Sequence, residues 1–172
     1  TIDLLQEAAG QKGTKELYEK LKNAGIEITA KQQRILFEEE VKMTEDYTKT
    51  LCKKYYNVDF DKLHPLTQDT LVDMCYRGDF KPKDTKTGLK EVAEKNDVNR
   101  LFPVVANRSV WHNVPYERFK QRASYYIINI PEQQRKQVLE NMAKEDPNVK
   151  ETLQNLKKDR DASISNLVKN VD

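Results

Sequence analysis

Apolar residues recur at i, i+3 and i+4 along nearly the whole chain and alternating β-branched runs are scarce, a pattern that predicts an all-α fold. The best-specified element begins at Thr29. Its hydroxyl suits an N-cap, Gln32 completes a capping box, and Ile28 before the cap supplies a staple. Neither Gly nor Pro interrupts Ala30 to Tyr55, and Phe37, Val41, Thr44, Thr48, Leu51 and Tyr55 form one stripe, so a helix of about seven turns is expected. Two short helices should precede it. One runs from a Thr1 cap to Ala9 with Gly10 ending it, the other from a Thr14 cap to Ala24 with Gly25 beyond.

Downstream, His64-Pro65 breaks the pattern and Leu66 to Arg77 reads as a core helix, with Leu71, Val72, Met74 and Cys75 apolar and Gly78 as its stop. Asp79 to Thr87, with Pro82 and several charges, reads as a surface loop. Short helices follow over Gly88–Lys95 and Asp97–Asn107, Pro103 being tolerable only in a first turn. A connection from Ser109 to Val114 carries the single Trp. Pro115 then opens a helix through Ile128 that turns Phe119, Ala123 and Tyr126 to one side, and another runs from Pro131 to Glu145.

Beyond Asp146-Pro147 one last helix is expected from Asn148 towards Val171. Val149, Leu153, Leu156, Arg160, Ile164, Leu167 and Val171 alternate at spacings of four and three, a narrow apolar seam interrupted by Arg160. Such a seam must lie on the domain's own surface or on a partner, which makes Leu153, Leu156, Ile164 and Leu167 candidate partner-binding residues. Lys157-Lys158-Asp159-Arg160-Asp161 reads as a solvated face.

At 172 residues the chain suits one domain with an extension. Thirty basic against 28 acidic residues leave a formal charge of +2, with the signs interspersed, which argues against a nucleic-acid surface. A charged fraction of 34% and a mean hydropathy of −0.86 imply a thin, well-solvated helical protein. Cys52 and Cys75 fall in helical patterns beside Leu51 and Met74, read as reduced thiols acting as small apolar groups, and match no zinc spacing. His64 and His112 are isolated. No metal or cofactor is expected. No apolar stretch approaches the roughly 18 residues of a membrane span, and Thr1 begins no signal peptide, so a soluble protein of open location is expected.

Ile28, Thr29, Leu36, Phe37 and Val41 together resemble the start of the first long helix in the helical lobe of phage-type lysozymes and pesticin-like muramidases. Gly10-Gln11-Lys12-Gly13 with Leu17, Leu21 and Lys22 is similar to the short helix that pesticin-like enzymes place before that cap. Leu71 to Gly78 resembles the buried central helix of the lobe, with Arg77 where the family has Gln. Trp111-His112-Asn113, Pro115, Arg118 and Arg122 resemble a passage near the family's end. The resemblance covers residues 10–128 in preserved order. It implies a lysozyme-like helical domain over 1–130 with two added C-terminal helices over 131–172.

What the resemblance further implies is cleavage of the peptidoglycan glycan by a Glu general acid with a nearby Asp and a water-placing Thr. In the family these lie upstream of the Ile-Thr cap, in a helix end and a Gly-, Tyr- and Thr-rich hairpin. Residues 1–27 hold no such hairpin, and Glu7 is the one acid that can be argued for, against the plainer reading of a solvated helix carboxylate. The expectation is therefore a muramidase lobe inactive as this chain, with peptidoglycan as its ligand. The alternative is a non-catalytic scaffold that binds a protein partner through its terminal helix. Tyr76, Arg77, Trp111 and Asn113 take the places of groove residues. Three of them have a plainer reading beside that one: Tyr76 and Trp111 as core aromatics, Arg77 as a surface charge. Arg118 and Arg122, four apart, read as surface ion-pair formers with Glu117 or another acid.

Overall fold

The structure, a computed structural model, describes residues 2–172, so the Thr1 cap lies outside the described residues. Among these residues the fold is all-α, with ten α-helices, short 3₁₀ turns and no strand. It divides into two compact units, residues 1–42 and residues 43–172. The boundary lies inside a long helix, not near residue 130 as the sequence suggested, and residues 131–172 share the core of the second unit.

The first unit contains α1 (Ile2–Ala8), α2 (Lys15–Asn23) and the start of α3 (Ala30–Leu51). Thr14 caps α2 by accepting from the Leu17 amide at 3.1 Å. At α3 the capping box forms in both directions: Thr29 Oγ1 accepts from the Gln32 amide at 3.2 Å, and Gln32 Oε1 accepts from the Thr29 amide at 2.8 Å. None of the residues from Ile2 to Lys42 is buried.

In the second unit α3 does not continue regularly to Tyr55. It widens into a π-helical turn over Cys52–Tyr56, which ends where Asn57 enters the left-handed region at φ 54°. The widened turn places Cys52 and Tyr56 fully inside while Tyr55 stays at the surface edge. Next comes α4 (Pro65–Tyr76), whose N-cap is His64: its Nδ1 accepts from the Leu66 amide at 3.2 Å. Leu71 and Met74 of α4 are completely buried. The loop after α4 is not wholly a surface feature, because Phe80 turns inward and meets Tyr56 edge-on with ring centroids 5.8 Å apart.

α5 (Leu89–Lys95) and α6 (Leu101–Val105) follow, with a 3₁₀ turn between them, and Pro103 does fall in the first turn of α6. Gly88, which starts α5, has φ +79°, and a Cβ there would meet a methyl of Val104 at 3.0 Å. Across α6 and α7 (Tyr116–Ile128), Phe102 and Tyr126 stack with centroids 4.9 Å apart, and the Tyr126 hydroxyl donates to the Val98 carbonyl. Trp111 is 5% exposed and its Nε1 donates to the Val104 carbonyl at 2.8 Å, which makes it a core anchor.

The terminal region corrects the sequence reading. The expected single helix is two, α9 (Pro147–Lys157) and α10 (Ala162–Val168), which follow α8 (Glu132–Glu145). Asp159 Oδ1 accepts from the Asp161 amide at 2.8 Å and Asp161 Oδ1 from the Ser163 amide at 2.9 Å, so two short acidic side chains capture the amides that a continuous helix would use. The chain therefore folds back: α9 packs on α8, α10 and α6, while α10 packs on α7. Leu153, Leu156 and Ile164 are buried in this chain's own core and Leu167 packs against it, so the proposed partner-binding seam is occupied internally. Thr152 hydrogen-bonds the Ala106 carbonyl at 2.7 Å in this interior. Thr152→Val keeps the shape but strands that carbonyl, and chemical denaturation should show a loss of about 1–2 kcal/mol.

Candidate functional site

α4 and α7 each present a polar stripe at helical spacing, and the two stripes face one another across a groove of about 280 Å³. Asp69, Thr70, Asp73 and Arg77 line it from α4 and its C-cap, and Arg118, Gln121, Arg122 and Tyr125 from α7. Residues three and four apart stack along one helix face, so both stripes follow from local geometry once the helices form.

Arg122 organises the floor. Its side chain is 5% exposed; Nε and Nη2 donate to Asp73 Oδ2 at 3.0 and 2.8 Å, and Nη2 also reaches Asp79 Oδ2 at 3.0 Å. Arg118 approaches Asp79 at 3.3 Å and Arg77 donates through Nε to Asp73 Oδ1 at 3.1 Å. The planar fork of arginine suits this sharing between carboxylates. Nη1 of Arg122 is buried with no hydrogen-bond partner among the described residues. At the far end the Tyr125 hydroxyl donates to Asp69 Oδ2 at 2.7 Å, a bond that raises the phenol above its ordinary range, and burial adds to the shift. Tyr125 keeps much of its ring exposed.

Three arginines and two aspartates, Asp73 and Asp79, thus form a network, with the Tyr125–Asp69 hydrogen bond and an accessible aromatic ring at the far end of the groove. The sequence reading placed Arg118 and Arg122 on the surface, whereas Arg122 is buried and Arg118 is partly so. A second correction concerns Asp159, which the sequence assigned to a solvated face. Its side chain is 7% exposed and pairs at 3.2 Å with Lys120, itself buried and also bonded to Glu117, so it ties the α9–α10 turn to α7. The backbone amide of Asp161, then the Lys120 ammonium, hold the Asp159 carboxyl below its ordinary range.

The residues predicted by resemblance do not gather at one place. Arg77 lines the groove. Tyr76, next to it, is exposed but is not among the groove residues, Trp111 is in the core, and Asn113 lies exposed on the connection. That connection is held by Arg108, unremarked in the sequence, which donates to the carbonyls of Trp111 and Val114 at 2.6 and 2.8 Å while its guanidinium lies over Phe119. Sequence reasoning also passed over Asp69, Asp73, Gln121 and Tyr125. Their signal was the complementary pair of charged stripes on two helices, visible only to a reader who already knew that those helices meet.

Glu7 forms an ion pair with Lys20 at 2.8 Å, and that hydrogen bond and charge lower its pKa. A glycosidic general acid needs the opposite displacement. Among the described residues no group of three or more His, Cys, Asp or Glu side chains is placed to hold a metal ion, and no helix is long and apolar enough to cross a membrane.

The model of the family described as Domain of unknown function (DUF8812) matches residues 1–123. The chain belongs to this family. The DUF8812 match includes α4 and the groove face of α7 through Arg122, and stops short of Tyr125, α8, α9 and α10. No curated protein and no solved structure matches the chain.

Proposed function

We propose that this DUF8812 member is the helical lobe of a phage-type or pesticin-like lysozyme, and that it contributes a wall for peptidoglycan glycan without itself supplying a general acid. One observation carries the reading: two stretches that resemble that family, Leu71–Gly78 and Trp111–Arg122, lie far apart in sequence, yet Asp73 and Arg77 of the first meet Arg118 and Arg122 of the second in one groove. Planar polar groups beside an exposed aromatic ring suit a sugar, whose hydroxyls need paired donors and acceptors and whose ring faces need an apolar surface. Glu7, Glu91, Asp159 and Asp161 depart clearly from the ordinary carboxylate range, and all four are held below it.

The test is incubation of the folded chain with dye-labelled insoluble peptidoglycan. Protein should sediment with the polymer, no dye should be released, and Tyr125→Ala combined with Arg77→Ala should reduce the sedimented fraction severalfold. Release of glycan-cleaved fragments, or sedimentation unaffected by the double substitution, would sink the proposal.

An assembly role is the second reading, favoured by residues 2–42, which bury nothing while leaving Leu5, Tyr18, Ile35 and Leu36 exposed. The same sedimentation experiment separates the two readings, since a scaffold has no reason to follow the polymer.

A further inference from the structure

A second cleft, independent of the groove between α4 and α7, opens where the end of α3 meets the loop after α4. It measures about 410 Å³ and is walled by Tyr47, Leu51, Tyr55, Cys75, Phe80 and Pro82. Such a volume lies within the range of clefts that hold small ligands or a few residues of a peptide. Its floor is apolar and aromatic. Its rim is basic: Lys81 and Lys83 line it, and Lys54 and Lys83 both lie over the Tyr55 ring, at 5.2 and 5.7 Å from the centroid.

Lys54, Lys81 and Lys83 are exposed and form no ion pair among the described residues, and Asp79, two residues before Lys81, is paired with Arg118 and Arg122. Two ammonium groups held at one ring repel each other, and an incoming carboxylate relieves that repulsion while the ring keeps both cations in place.

We propose that this cleft binds a short acidic peptide segment, with carboxylates paired to Lys54, Lys81 and Lys83 and one apolar side chain seated among Tyr47, Tyr55 and Phe80. A peptide fits better than nucleic acid because the basic rim is confined to one cleft and the chain as a whole carries a formal charge of only +2, which gives a long phosphate backbone no track to follow.

The cleft contains its own reporter. Cys75 lines it and is partly exposed, whereas Cys52 is fully buried and its thiol is pushed up to about 12, chiefly by that burial and then by Cys75, so alkylation of the folded protein reads Cys75. The experiment follows the iodoacetamide rate at Cys75 with a hexapeptide alternating glutamate and leucine, and its lysine–leucine counterpart as control. Fluorescence anisotropy of the labelled acidic peptide supplies the affinity.

The acidic peptide should slow alkylation severalfold at about 1 mM, the basic one should not, and Lys54→Glu with Lys83→Glu should weaken binding about tenfold, near 1.4 kcal/mol. Both substitutions sit on exposed side chains and leave the core untouched, and circular dichroism checks the fold of the variant. No protection by the acidic peptide, equal protection by the basic one, or stronger protection by an oligothymidylate would overturn the proposal.

Discussion

Leu156→Ala should lower the free energy of unfolding by about 3 kcal/mol, because a buried leucine cut to alanine loses its transfer energy and leaves a cavity that the surroundings only partly fill. Leu156 is 1% exposed on α9, and α9 packs on α6, α8 and α10, so three neighbours would have to move to close the gap. The measurement is urea denaturation followed by circular dichroism, with the midpoint shifting and the slope unchanged. Were the terminal seam a free face awaiting a partner, the same substitution would cost well under 1 kcal/mol. A loss that small would also remove the case for treating residues 131–172 as part of the second unit's core. Leu153→Ala, on the same face at 4% exposure, should behave alike, and the pair should not add, since the two side chains share one interior.

Arg122→Met should cost about 3 kcal/mol, the lower end of what breaking a buried ion network takes. The substitution keeps the volume of the stem but removes the guanidinium that Asp73 and Asp79 share, so two carboxylates are left facing each other with weaker compensation from Arg77 and Arg118. Asp73 remains 41% exposed in its side chain, and water there keeps the figure from rising further. Arg122→Lys should recover only part of the loss, since a point charge cannot fork between two acids. A double-substitution cycle distinguishes this account from simple loss of packing. Arg122→Met should cost much less in a background where Asp73 and Asp79 are both changed to Asn, because no carboxylate there needs the cation. An undiminished cost in that background would assign the loss to packing.

These two positions also mark the limits of sequence reading. Leu156 could be assigned to an apolar stripe from spacing alone, and the stripe exists. What covered it could not be read, because an apolar seam has the same spacing whether it faces its own domain or another molecule. Arg122 was the harder case. Arginine on a helix face is usually solvated, and nothing local says that Asp73 and Asp79, both distant in sequence, come within 3.0 Å of it.

Where an element is decided by neighbours in sequence, its cause is legible in the sequence. The Thr29–Gln32 capping box, the Thr14 cap, the break at Asp146-Pro147 and the place of Pro103 in a first turn all depend on groups within four residues of one another. The break at Asp159-Arg160-Asp161 was equally local, yet the helical register resumes at Ile164 beyond Arg160, and that continuity of spacing outweighs two aspartates that cap α10 and the turn before it. Periodicity survives such a break when both helices bury the same side.

The helical character of the chain, the points where most helices start and stop, and the apolar positions are legible from local pattern, since capping, proline geometry and 3.6-residue periodicity act over a single turn. That α9 and α10 close onto α6 and α7, that Trp111 belongs to the core and Asn113 does not join it, and that Arg77, Arg118 and Arg122 share Asp73 and Asp79 was settled by the packing of the whole chain. Those outcomes rest on burial and on charge pairing between residues far apart in the chain, whose energies depend on distances that no local pattern records.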